Sequence, residues 1–440
     1  MLLILVGLYL IFLIFIAYLS KRLIKTDRDY LLAGRSLPLS ISTFALFATW
    51  FGSETILGAS KEFAEGGFLS VIEEPFGAAL CLILAGLFFV RPIYRMNILT
   101  FADFYRVIYG REVELLSSIL LVISYFGWIA AQYVAFALIL KTLTGVSLDY
   151  GILIAFSVSI LMVYFGGMWA IALTDFIQTL IILFSLVVIS VYTFFLVGGL
   201  DVIVKEVPEE YFRLLPNPKL EDISEYIVAW IVIGLGSIPS QDLFQRFMSS
   251  KSEDVAVISS IIAGFMYLSV AMLPLFIALY AKFEAGLTLL DYINTLNPLL
   301  KLAFFLGLLS TILSTSSAAI LAPSAIISEN LISNLFNGFS KVILNRLTVV
   351  FVSMFSLIFA FSGQTIYELV ASSSTVTLVS LFAPLVCGIY CKKVGKIGAI
   401  LSMVGGFLVW FIFDIILSYR TFGILAGLFV SLFLILTLRR

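Results

Sequence analysis

In the stretch FATWFGSETILGAS, residues 47–60, both flanks are apolar, yet the middle carries Trp50, Gly52, Ser53, Glu54 and Thr55. A carboxylate beside two hydroxyls can meet a cationic or hydroxylated solute, and a tryptophan face can hold a cation. Glu73 and Glu74 open the next apolar stretch, where they either share a cavity with Glu54 or face an outer vestibule. A second cluster lies in LSTILSTSSAAIL (309–321), where Ser314 and Thr315 are adjacent and Thr311 sits one turn earlier. Hard cations such as sodium take hydroxyl and carbonyl oxygens. The duller reading is that such hydroxyls bond back to their own helix or join two helices. Asp175, in ALTDFIQ, is a carboxylate inside an apolar segment and therefore a functional candidate. It belongs either to an ion path or to a cap or ion pair near the inner interface. Asp242 either serves an inner gate or, the favoured reading, pairs with Arg246 at the membrane surface. Asp414 is expected at a helix–helix contact or the outer interface.

Other chemistries are poorly supplied. There is no histidine, which removes imidazole metal sites and proton relays. Cys81, Cys387 and Cys391 have neither metal-binding nor disulfide-framework spacing. No phosphate-binding Gly-rich Lys-Ser/Thr loop is present. A net charge of −1 gives no reason to expect a nucleic-acid partner.

The elements that must position these groups are membrane helices. Hydrophobic residues make up 62% of the 440, charged residues only 12%, about half the usual share, and mean hydropathy is +1.14. Thirteen segments are long and apolar enough to cross a bilayer: 2–20, 38–60, 69–94, 112–141, 149–165, 168–199, 223–245, 254–281, 300–328, 341–362, 366–391, 395–417 and 421–438. The first lacks a basic leader and a small-residue cleavage site, so it reads as an uncleaved helix. With the N-terminus outside and the C-terminus cytoplasmic, 18 of the 26 Lys and Arg fall in inner loops, as the positive-inside rule requires.

Two segments are broken where they should be most apolar. One is 38–60; the other is AWIVIGLGSIPSQDLFQR (229–246), interrupted by Gly234, Gly236 and Pro239. Gly and Pro cost about 1 and 3 kcal/mol in a helix interior. Paired interruptions in corresponding places point to a transporter site at the membrane midplane. The chain then divides into an extra helix (1–22), two five-helix halves (38–199 and 223–391) and two final helices (395–440).

Four ordered motifs resemble one family. DRDYLLAGRSLPL (27–39), GGMWAIALTDFIQ (166–178), QRFMSSKS (245–252) and STILSTSSAAILAPSAIISENL (310–331) are similar to motifs of the sodium:solute symporters. Residues around EPFGAALCLILAGLFFVRPI and IPSQDLFQRFMSSKS resemble its high-affinity choline transporter branch. The resemblance implies an all-α membrane protein with a ten-helix, five-plus-five inverted-repeat core and two broken helices. It implies sodium ligation by Ala48, Phe51, Thr311, Ser314 and Thr315, and an ion path through Asp175, on the exit side, and Ser317. The family's second-site aspartate is replaced by Ser317, which speaks against a second sodium. Solute contacts are expected from Trp50, Gly52, Ser53, Glu54, Thr55, Glu74, Trp128, Ser240 and Gln241. Ser240 stands where the choline branch has a tryptophan, so the aromatic box is incomplete.

The expected function is sodium-coupled symport of a small organic solute across the cell membrane by alternating access, with no enzyme chemistry and no cofactor beyond the coupling ion. The alternatives are a proton-coupled carrier of the same fold and a transporter-like solute sensor; the end of the chain two residues after its last helix argues against the sensor.

Overall fold

In hydrocarbon every backbone polar group must be satisfied within the protein, which leaves helices as the economical solution for a chain this apolar. A computed structural model describes residues 2–197, 207–333, 340–362, 374–391 and 395–438. Apart from one isolated bridge, the regular elements among these residues are helical.

In chain order the main helices are α1 (Leu2–Ser20), α2 (Leu39–Trp50), α3 (Ser60–Gly66), α4 (Phe68–Arg95), α5 (Phe101–Tyr109), α6 (Arg111–Thr144) and α7 (Leu148–Val197). They continue as α8 (Leu220–Gly234), α9 (Gln241–Ser249), α10 (Glu253–Phe283), α11 (Leu289–Thr295), α12 (Pro298–Ile326) and α13 (Lys341–Ala360). α14 (Ser374–Tyr390), α15 (Lys396–Ile416) and α16 (Arg420–Thr437) complete the set.

Among the described residues nine helices are long and apolar enough to cross a membrane. α7, at 50 residues, is broken at Gly167, whose φ of +50° only glycine adopts easily. A Cβ there would lie 2.4 Å from the carbonyl oxygen of Tyr30, so the short segment 27–37 wedges into the kink. The break falls between the expected segments 149–165 and 168–199. The first broken segment runs further than its apolar stretch: beyond Ala59 the chain continues as α3, with Lys61, Glu62 and Glu65 on it. The start of expected segment 366–391 lies outside the described residues.

α12 is the most buried of the long helices and runs through the centre of the bundle, whereas α1, α15 and α16 are largely exposed at its rim. At the end of the bundle rich in Lys and Arg, the broken helices are tied together. Leu37 N–H donates to Ser249 O at 3.0 Å, and Lys251 N–H donates to Leu37 O at 2.9 Å. Beside them Asn330 donates to Glu114 Oε1 (2.7 Å) and Asp103 Oδ1 (3.1 Å), and Arg111 pairs with Glu114 at 2.7 Å. This network fastens α5 and α6 to the turn Ile327–Leu331 that follows α12.

Candidate functional site

α2 stops at Trp50. Phe51 takes ψ 78°, which turns its carbonyl away from the helix direction, and the chain resumes as a wide helical turn over Glu54–Ala59. The freed acceptors find partners on other helices. Ala48 O accepts from Ser314 Oγ at 2.9 Å, and Trp50 O accepts from Tyr267 OH at 2.9 Å. The second break spans the residues between α8 and α9, where Gly236 O accepts from Thr377 Oγ1 and Ser237 bonds Ser374 at 2.8 Å.

The carboxylate in the first break is held by α6. Trp128 Nε1 donates to Glu54 Oε1 at 3.2 Å, and Gln132 Nε2 donates to Oε2 at 3.1 Å; Ser53 Oγ lies 3.4 Å away. Thr55 Oγ1 donates to Glu74 Oε1 at 2.9 Å, and the Tyr267 hydroxyl contacts both residues. Between the two breaks lies a cavity of about 70 Å³, lined among others by Trp50, Glu54, Glu74, Tyr125, Trp128, Ser240 and Asp242. The Ser240 hydroxyl is buried with no partner. Glu54 and Glu74 also line a vestibule of about 1590 Å³ at the opposite end of the bundle from the Lys- and Arg-rich network. That vestibule carries seven carboxylates (Glu54, Glu62, Glu65, Glu73, Glu74, Asp222 and Glu225) against Lys61, Lys282 and Arg420. Arg420 pairs with Glu73 at 3.6 Å, so the net field is acidic.

Beside the first break, Ser314 Oγ lies 2.6 Å from Asp175 Oδ1 as well as 2.9 Å from Ala48 O. Thr315 Oγ1 is buried and unpartnered. Thr311 spends its hydroxyl on Gly307 O at 2.7 Å, which leaves its carbonyl as the group to offer. The Ser314 hydroxyl meeting Ala48 O, with the unpartnered Thr315 hydroxyl next in sequence, supplies oxygens of the kind that hard cations take. Ser317 is different: its hydroxyl donates to Leu313 O, 2.7 Å away on its own helix.

Several groups stand elsewhere than expected. Asp242 and Arg246 do not form a surface pair; both side chains are buried, at 1% and 0% exposure. α9 packs into the core rather than ending at the interface. Asp242 accepts from Trp50 Nε1 at 2.7 Å and from Tyr125 OH, while Arg246 Nη2 lies 3.9 Å from Asp175 Oδ2. Gln241, like Gly52, Ser53 and Thr55, is outside the lining of the small cavity; its Oε1 accepts from Phe101 N–H at 2.6 Å, holding the start of α5. Asp414, by contrast, is at a helix–helix contact as expected: it packs against Gly423 of α16 and accepts from Trp410 Nε1 at 2.6 Å on its own helix. Sequence reasoning missed Tyr125, Gln132 and Tyr267. The first two share the i, i+3, i+7 face of Trp128, a usable signal; Tyr267 has none.

A sequence profile of the Sodium:solute symporter family matches residues 30–406. The chain is 26% identical over 400 residues to a human high affinity choline transporter, covering 86% of this chain and 69% of that protein. It is 27% identical over 431 residues to a high-affinity proline transporter of Bacillus subtilis, covering 89% and 87%. In fold it is similar to the substrate-bound outward-open structure of a Na+-coupled sialic acid symporter, with TM-score 0.81 at 17% identity, covering 97% and 95% of the two chains. The two broken helices and a family match over most of the length lead to one conclusion: this chain belongs to the sodium:solute symporter family and works as a sodium-coupled solute transporter, not as an enzyme.

Proposed function

We propose that the chain imports a small organic cation bearing N–H donors, an amine, with sodium held by Ala48, Phe51, Thr311, Ser314 and Thr315. The observation that carries the sodium site is the meeting of the Ser314 hydroxyl with Ala48 O beside the unpartnered Thr315 hydroxyl. For the solute, the support is an acidic vestibule leading to Glu54 and Glu74, with Trp50 and Trp128 as aromatic walls. The unpartnered Ser240 hydroxyl, where a third aromatic would suit a quaternary ammonium, favours a solute that can donate a hydrogen bond. Ser53, Thr55 and Gly52 shape the break; Gln241 positions α5 rather than touching solute.

In this reading the acidic vestibule is extracellular, the N-terminus is outside and the C-terminus cytoplasmic, in the cell membrane. Splitting α7 at Gly167 and counting α2–α3, α8–α9 and α14 as crossings brings the tally to thirteen. Residues 38–199 and 223–391 are then the two inverted halves, flanked by 1–22 and 395–440. Sodium bridges the first broken helix and α12, the solute closes the outer side, and the Leu37–Ser249 and Asn330 ties open on the inside. Asp175 receives the ion on its way in.

The test is uptake into proteoliposomes of ethanolamine, choline, proline and galactose, with and without an inward sodium gradient. Sodium-driven uptake of ethanolamine above the others is expected. Uptake indifferent to sodium, or preference for an uncharged solute, would overturn the reading.

A further inference from the structure

Arg246 is the largest fully buried side chain among the described residues, and all three guanidinium nitrogens lack a hydrogen-bond partner. A buried cation held as a permanent structural pair would be fixed by hydrogen bonds, because the cost of desolvation is recovered only with good geometry. Here the nearest carboxylate oxygen, Asp175 Oδ2, is 3.9 Å away and is itself unpartnered. One turn back on α9, Asp242 presents a second carboxylate to the same core. Arg246 thus has one carboxylate 3.9 Å away and a second one turn back on its own helix, and is hydrogen-bonded to neither.

These two acids serve different sites. Asp175 Oδ1 accepts from Ser314 Oγ, the hydroxyl beside Ala48 O. Asp242 holds Trp50 Nε1 and Tyr125 OH, both in the lining of the solute cavity.

We propose that Arg246 is a positioning residue that couples the two sites, leaning towards Asp175 without sodium and towards Asp242 with it. This rests on the sodium site proposed at Ser314. A sodium ion there puts positive charge next to Asp175, weakens its hold on Arg246 and repels the guanidinium. Displaced by one turn, Arg246 meets an Asp242 carboxylate that still has free lone pairs. The fork then fixes Asp242 and, through it, the orientation of Trp50 and Tyr125. Sodium prepares the aromatic wall without touching it, and by reciprocity an ordered wall favours sodium. No bond is made or broken beyond hydrogen bonds.

Sodium alone serves as the probe. The purified full chain is titrated with sodium against potassium at constant ionic strength, following tryptophan fluorescence and melting temperature. The chain has five tryptophans, so Trp50→Phe identifies the Trp50 component. Sodium should raise the melting temperature of the wild type and change the Trp50 signal. Arg246→Lys, which keeps the charge without the fork, should cut that signal at saturating sodium by about fivefold or more while the melting shift persists. Arg246→Gln, which removes the charge but keeps a side chain of similar reach away from the ion set, should do the same and serves if the lysine variant does not fold. An undiminished signal in both variants would mean that sodium reaches Trp50 through the Ala48–Phe51 backbone, and would overturn the coupling role. A melting shift with no Trp50 signal in the wild type would overturn it as well. A wild type whose melting temperature ignores sodium would instead remove the sodium site itself.

Discussion

Replacing Glu54 by Gln removes a charge while keeping the shape of the first break. The Gln retains one acceptor for Trp128 or Gln132, so the surrounding hydrogen bonds are thinned rather than erased. A cation about 5 Å from one carboxylate gains roughly 3 kcal/mol at an effective dielectric near 20. Glu54 is partly exposed to the vestibule and Glu74 remains nearby, so about half of that should be lost, roughly 1.5 kcal/mol. This corresponds to about tenfold in affinity. The assay is calorimetric binding in saturating sodium of ethanolamine and of ethylene glycol, which has the same size and no charge. Ethanolamine affinity should fall about tenfold, and any affinity for ethylene glycol should change by less than about twofold. Equal losses for both would show that Glu54 shapes the break without meeting a cation, and the electrostatic argument would be wrong.

Two further expectations follow from the same geometry. Ser314→Ala and Thr315→Ala each remove a hydroxyl from the proposed ion set, and a hydrogen-bond-strength contact to a charge is worth about 1.5–3 kcal/mol. The sodium concentration at half-maximal uptake should rise about tenfold or more in each, with expression intact; unchanged sodium dependence in both would count against the site. At the second break, a Cβ on Gly236 would lie 2.2 Å from Val232 O and 2.4 Å from Ser374 O, both backbone atoms that cannot swing aside. Gly236→Ala should therefore destabilise by at least about 1–3 kcal/mol, read as a lower melting temperature; an unchanged melting temperature would mean that the break is looser than its contacts indicate.

Much of this was legible in the sequence because a bilayer tolerates few solutions. Apolar length located the spans, and Gly52, Gly236 and Pro239 marked where backbone must leave the helix. Side-chain type also pointed to the hydroxyls of Ser314 and Thr315. What stayed hidden depended on contacts between distant segments. Nothing local says that Tyr267 on α10 reaches the backbone of Trp50, or that Gln241 turns to Phe101. Asp242 and Arg246 misled because four residues' spacing on a polar helix suggests a surface pair; the helix instead packs inward, and its partners come from α2, α6 and α7. The kink at Gly167 was legible as a gap between two spans, but not the wedge of Tyr30 that occupies it.

The measurement that bears most directly on the central claim is the melting temperature of the purified protein in sodium and in potassium, each with ethanolamine, choline, proline or galactose. A ligand at a hundred times its Kd adds about 2.7 kcal/mol of stability. The largest rise should require sodium and ethanolamine together. A rise with solute that is the same in potassium would contradict a sodium-organised solute site.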